Sequence, residues 1–433
     1  MKAREMSAHD AAALVRATDT VAVPLGPGAP SSLLHAMGER DDWERLEVFG
    51  GLLLDLFALF TKPGVRYVSG FFGPAERLLI ESGADIEFAP ADFRRFVRLA
   101  ERFAPRVVTT TAAPPDADGY MSLSLHAGAT VTELHRAAAD PERVVVVETS
   151  TLLPRTFGLP PRFTHRLHVD EVDVIVATDR APFVLEDTPP TDVDIAMARC
   201  ALEYIDDGCT LQTGIGGLPS MVVSMLAQGD GGDYGIHSEM FTTGLMRLHK
   251  AGKVTNARKG EFVGCSIATF ALGTTELYEW LDGNDLVRFL PVDIVNAPHV
   301  ISRNHQVVSI NGALAVDLYG QVVADRLHGR QFSGIGGHED FVAQSGLDVS
   351  DRSLICLPST AGREEAVVSR IVPVLPPATT VTTPRHQVDV VITEHGVAEL
   401  RGRTVRERAV ALAEIAHPDF RDDLRAAAAQ LSS

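Results

Sequence analysis

Four consecutive valines, Val144-Val145-Val146-Val147, constrain this chain more than any other run. A strand with no polar alternation must be buried on both faces. That is the habit of a strand inside a parallel sheet covered by helices on each side. The surrounding sequence supplies such helices. Helical patterns over 90–104 and 129–139 sit between strand-like runs at 50–60, 106–109 and 143–147, and 172–177 is another buried strand. The chain opens with a helix near 8–17, a strand at 20–24, the loop Gly26-Pro27-Gly28-Ala29-Pro30, and a helix around 31–38. Strand and helix in alternation predict an α/β fold built on a parallel sheet.

At 433 residues the chain exceeds what one hydrophobic core usually serves, so two domains are expected. The acidic, proline-bearing stretch Glu186-Asp187-Thr188-Pro189-Pro190-Thr191-Asp192 is the linker, because its prolines resist both helix and central strand. The predicted domains are 1–188 and 193–433. The second repeats the α/β order. Its helices fall at 193–206, 219–227, 405–416 and 421–430, and its strands at 210–213, 287–290, 307–311, 353–357 and 388–392.

Charge and cysteine narrow the function classes. Basic residues number 39 and acidic residues 57, a net charge of −18. An acidic chain is a poor general binder of nucleic acid or anionic lipid, so neither partner is expected. No apolar run is long enough for a transmembrane helix, and residues 1–10 lack the apolar core of a secretory signal. Cys200, Cys209, Cys265 and Cys356 form no CxxC pair, which fits a reduced, cytoplasmic compartment.

The segment Leu211-Gln212-Thr213-Gly214-Ile215-Gly216-Gly217-Leu218-Pro219-Ser220 reads as strand, Gly-rich turn and helix, with Pro219 at the first helical position. Backbone N–H groups at such a turn form an anion site, either a phosphate cradle or an oxyanion hole. A plain tight turn is the alternative. Pro219 stands where a dinucleotide fingerprint needs glycine, and no Gly-Lys-Ser/Thr follows to make a P-loop. The same four residues recur as Gly334-Ile335-Gly336-Gly337 after Ser333.

A short helix further on comes Gly235-Ile236-His237-Ser238-Glu239-Met240-Phe241. A carboxylate among small and apolar residues is expensive to bury unless paired or used. Glu239 is ionised at neutral pH and can attack an activated acyl group without a separate base. An exposed Glu at a strand end is the alternative. His165 and His168 have HxxH spacing but no accompanying ligand cluster, so no metal site is expected. His237 can orient a substrate or serve as a structural histidine.

The second half resembles the acetyl-CoA hydrolase/transferase family, which includes acetate, succinate and 4-hydroxybutyrate CoA-transferases. The similarity rests on 213–219, 235–240 and 333–337. It extends through Thr393-Glu394-His395-Gly396-Val397-Ala398-Glu399-Leu400-Arg401-Gly402-Arg403 and Ala416-His417-Pro418-Asp419-Phe420. In the first half, 114–123 resembles the PPD-x-x-GY-x-SLG segment. Glu148 followed by Pro154-Arg155-Thr156 resembles E-V-N-x-x-M-P-R-T. The chain departs from these patterns at Ser124, Ser150, His338 and His395.

The resemblance implies two open α/β domains with mainly parallel sheets and the active site in the interdomain cleft. It implies a CoA-transferase with ping-pong kinetics, moving CoA from a short acyl-CoA to a carboxylic acid. Glu239 matches the nucleophile that carries CoA as a glutamyl thioester. Ile215 and Gly334 match the oxyanion hole. Gly214, Ile215, Gly216, Gly217, Leu218, Asn296, Ser333, Gly337 and Arg352 match CoA contacts. Coenzyme A is then a substrate, with no permanently bound cofactor, and a homodimer or larger homo-oligomer is expected. An acyl-CoA hydrolase using the same Glu239, or a non-catalytic CoA-binding protein, are the alternatives.

Overall fold

The structure, a computed structural model, describes residues 3–126, 128–327, 329–343, 348–362 and 366–431. The chain forms two compact units. The first contains 1–185, 239–241 and 267–297, and the second 186–238, 242–266 and 298–433.

The first unit holds an eight-stranded sheet. Its strands are β1 (Arg4–Glu5), β2 (Thr20–Ala22), β3 (Leu46–Gly50), β4 (Val65–Ser69), β5 (Asp85–Phe88), β6 (Val107–Ala112), β7 (Val144–Ser150) and β8 (Val174–Thr178). The spatial order is β1-β8-β7-β6-β2-β3-β4-β5. Every neighbouring pair is parallel. The valine run does what its composition demands. Val146 packs into one core with Val21, Val107 and Val174, while Val145 and Val147 enter another with Val108, Leu134 and Ile175. Successive side chains of β7 thus serve opposite faces of the sheet, and both faces are dry.

The expected strand at 50–60 is corrected. β3 ends at Gly50, and the chain turns away through Leu52, which has φ +49°. The Leu53 N–H goes to the buried carboxylate of Glu76 at 2.8 Å instead of a neighbouring strand. Burial pushes the Glu76 carboxyl up to about 6, against the backbone N–H groups of Leu53 and Gly73 that hold it down. The helix expected at 8–17 is the shorter Ala8–Ala12.

The second unit holds a six-stranded sheet made of β9 (Thr210–Thr213), β10 (Gly235–Ile236), β11 (Val307–Gly312), β12 (Arg352–Cys356), β13 (Val390–Thr393) and β14 (Gly396–Glu399). The order is β10-β9-β11-β12-β13-β14. All pairs are parallel except the closing hairpin of β13 and β14. The helices Val405–Glu414 and Pro418–Gln430 cover one face through Leu412, Ala413 and Leu424. Among the described residues, no helix is long and apolar enough to cross a membrane.

Neither unit is one continuous stretch of chain, unlike the contiguous 1–188 and 193–433 of the sequence reading. Met240–Phe241 pairs in parallel with Phe270–Ala271. Phe270, Leu272 and Val292 pack with Leu25, Phe49 and Phe96 in the first unit's core. The strand expected at 287–290 is Val287–Phe289 and lies in the first unit, outside the six-stranded sheet.

Candidate active site

In the second sheet the chain passes from β9 to β10 on one side, then to β11 on the other. Such a reversal opens a crevice at the carboxyl ends of the two flanking strands, where open α/β sheets bind ligands. The 214–217 loop leaves the carboxyl end of β9 at this point. Gly216 has φ +118°, a conformation open to glycine and strained for other residues. A Cβ on Gly217 would come within 2.5 Å of the Asp194 carboxylate, so the close approach here needs a residue without one. The helix runs from Gly217 to Gln228, which makes Pro219 its third residue and not its first. Pro219 still falls in the first turn, where its missing N–H breaks no intrahelical bond. Ile215 is 46% exposed, while Leu218 is buried.

The second Gly-rich turn follows the strand Arg330–Gln331 and leads into the short helix His338–Val342, capped by Gly337. Gly334 and Gly337 are buried, and Gly336 has φ +56°. Ser333 donates its N–H to the carbonyl of Asp325 at 3.0 Å. The Asp325 carboxylate is itself tied to Thr382 and Gln331, so the turn has a fixed base. His338 faces Thr383, with Nε2 and Oγ1 2.8 Å apart, and burial holds its imidazole down to about 4, in the neutral form.

The segment from β10 toward Glu239 is held from three sides. Ser238 donates its hydroxyl to the carbonyl of Thr213, the residue before Gly214, at 3.2 Å. Lys259 is buried and donates to the carbonyls of Ile236 and Cys265, each at 2.8 Å. Burial lowers its ammonium from the usual range to about 7. His237 is buried, stacks on Phe262 and lies 3.4 Å from the Asn304 amide, the surroundings of a core histidine.

Glu239 belongs to the first unit and is half-buried. Its carbonyl accepts the N–H of Thr269 at 2.9 Å and of Phe270 at 3.4 Å, which ties its backbone to a sheet segment. Its carboxylate receives a hydrogen bond from the buried Asn296, with Nδ2 and Oε2 2.7 Å apart. Asn296 caps the short helix Val292–Val295, whose Val292 and Val295 anchor it in the core. A hydrogen bond from a fixed amide aims the carboxylate.

Arg352, matched to a CoA contact by the resemblance, lies in the second unit. It opens β12, in register with Val308 and through it with Leu211, so it lies toward the amino edge of the sheet. Asp389 lies 3.6 Å from its guanidinium. His165 is buried and bonded to Ser124 and Thr156. His168 faces the carbonyl of Asp118. Among the described residues, no group of three or more His, Cys, Asp or Glu is placed to hold a metal. Sequence reasoning passed over Ser238 and Lys259. The sign that could have drawn attention to Lys259 was a lysine, one of five in the chain, close to the Glu239 segment.

The profile of the acetyl-CoA hydrolase/transferase C-terminal domain matches residues 273–428. The chain is 37% identical to the succinyl-CoA:cyclohexane-1-carboxylate CoA transferase of Geobacter metallireducens, over 98% of this chain and 94% of that one. It is 35% identical to the 4-hydroxybutyrate coenzyme A transferase of Clostridium kluyveri, over 92% and 90%. The crystal structure of RipA from Yersinia pestis superposes with a TM-score of 0.90 at 31% identity, covering 99% of this chain and 97% of that one. Full-length similarity of sequence and fold together makes this chain a member of the acetyl-CoA hydrolase/transferase family of enzymes.

Proposed function

We propose that the protein moves CoA from an acyl-CoA to a carboxylic acid, with Glu239 as nucleophile and coenzyme A as a substrate. The observation that carries this reading is the Asn296–Glu239 hydrogen bond at 2.7 Å. It fixes a half-buried carboxylate on a segment tied down through its own carbonyl. The relatives named as CoA-transferases support the same reading.

In the first step the Glu239 carboxylate attacks the thioester carbonyl. The C–S bond breaks, and a mixed anhydride and CoA thiolate result. The thiolate then attacks the glutamyl carbonyl, expelling the donor acid as its carboxylate and leaving a glutamyl-CoA thioester. An incoming carboxylate attacks that thioester and releases CoA thiolate again. The thiolate takes the new acyl group, and Glu239 returns as a free carboxylate. No proton need be taken from the nucleophile, so the site needs no general base at this position.

Each attack places negative charge on a carbonyl oxygen. The N–H groups of Ile215 and Gly334 are the donors assigned to it, and one such donor is worth about 3–4 kcal/mol in an acyl-transfer site. The 214–218 turn and the 333–337 turn hold CoA.

Initial rates test it. With acyl-CoA and acid both varied, double-reciprocal lines are parallel, and Glu239→Ala has no measurable turnover while melting like the wild type. Intersecting lines, or activity retained in Glu239→Ala, overturn the reading. CoA release that ignores the acid identifies a hydrolase.

A further inference from the structure

A small cavity in the first unit has no part in the transfer reading. It measures about 120 Å³ and lies where the antiparallel pair Tyr120–Ser122 and Arg166–His168 meets the bridge between Phe157 and Arg288. All of its wall belongs to the first unit.

In a chain of net charge −18 this wall is basic. The guanidiniums of Arg155, Arg166 and Arg288 share it with one carboxylate, Asp116. The fold spends the first of them. Arg155 lies 3.4 Å from Asp116 and donates to the carbonyls of Tyr120 and Pro114, at 3.3 and 2.5 Å. The other two keep most of their donors. Arg166 is exposed and lies over the Tyr120 ring at 3.8 Å, and among the described residues its guanidinium has no hydrogen bond or ion pair. Arg288 donates to the Gly158 carbonyl at 3.4 Å, and its buried Nε has no partner among the described residues. Of the carboxylates outside the wall, Asp282 accepts the Arg155 backbone N–H at 2.7 Å and Asp285 stands 3.8 Å from Arg288.

His165, also in the wall, is 3% exposed. Its Nε2 lies 2.8 Å from the Ser124 carbonyl, so that nitrogen carries the proton. Burial holds the ring neutral, down to about 4, and its buried Nδ1 has no partner among the described residues. Buried polar atoms without a partner are rare in folded proteins. A donor on Arg288 and an acceptor on His165, in one small wall, point to an occupant.

We propose that this cavity binds a small tetrahedral oxyanion of the size and charge of phosphate, held by Arg166 and Arg288. At ~30 Å³ for each water-sized group, the space takes about four, as many as phosphate has oxygens. The guanidinium fork meets such oxygens two at a time. The site stands whether or not the transfer reading does. It backs onto the segment that ties down Glu239. The Phe289 N–H donates to the Phe157 carbonyl at 2.8 Å, the Leu290 N–H to the Ala268 carbonyl at 2.9 Å, and the Thr269 N–H to the Glu239 carbonyl at 2.9 Å.

The test is isothermal titration of the full chain with inorganic phosphate at fixed ionic strength, with and without saturating CoA. Three hydrogen bonds to a charged group correspond to a Kd of about 1 mM or tighter, with one ion per chain. Arg166→Gln removes an exposed guanidinium and leaves the core untouched. The variant melts like the wild type and binds phosphate about tenfold more weakly. AMP as a second probe separates two sources of the same group. Binding of phosphate alone assigns the cavity to the free ion. Binding of both, each weakened by Arg166→Gln, assigns it to the phosphoryl end of a larger molecule. No binding of either probe, a Kd unchanged in Arg166→Gln, or binding that CoA abolishes overturns the proposal.

Discussion

Asn296 donates its side-chain amide to Glu239 across 57 residues of chain, with Nδ2 and Oε2 2.7 Å apart. Hydrogen bonds to charged groups contribute about 1.5–3 kcal/mol. Asn296→Ala is therefore expected to lower kcat by about 10- to 100-fold while the affinity for acyl-CoA changes little. A kcat within twofold of wild type would remove Asn296 from the account.

Gly214 offers a test of the CoA loop that stability does not confuse. A Cβ built on Gly214 meets nothing within 4 Å, and its φ is not in the left-handed range. Gly214→Ala should melt like the wild type. If CoA lies against this backbone, the added methyl crowds it, and KM for acyl-CoA rises about tenfold, the scale of one misplaced methylene in a fitted site. An unchanged KM would place CoA elsewhere.

Lys259 makes the stability of the fold sensitive to pH. Its folded value is about 7 against an ordinary 10.5. Between these values the unfolded chain binds a proton that the folded chain does not, so stability rises with pH across this window. The cost of the buried charge is fully present below about pH 7 and is relieved as pH rises toward 10. Lys259→Met lacks this dependence. The stability of wild type relative to the variant should increase by up to about 1.4 kcal/mol per pH unit between pH 7.5 and 9.5. Denaturant melts at three pH values measure it, and a constant difference between the two proteins contradicts it.

Much of the architecture was legible where composition leaves little choice. The Val144–Val147 run could only be a doubly buried strand, and the glycines at 214–217 could only be a turn between strand and helix. The 50–60 segment was misread because its apolar residues pack as a loop, held by a distant Glu76 that no local pattern reveals. The transfer of 239–241 and 267–297 to the first unit was invisible for the same reason. Two-residue strands such as Met240–Phe241 carry no periodicity of their own, and their pairing is decided by the core they join. The strand end that Arg352 occupies was likewise hidden, because charge type alone does not say which end of a strand a residue holds.

The central claim is that Glu239 carries CoA covalently. Intact-protein mass spectrometry after mixing with acyl-CoA, in the absence of an acceptor acid, tests it most directly. The account predicts an increase equal to CoA less one water on the wild type, absent from Glu239→Ala and removed by adding a carboxylic acid. A wild type that turns over the same acyl-CoA and acid while never carrying that adduct, or an adduct that persists in Glu239→Ala, would contradict it.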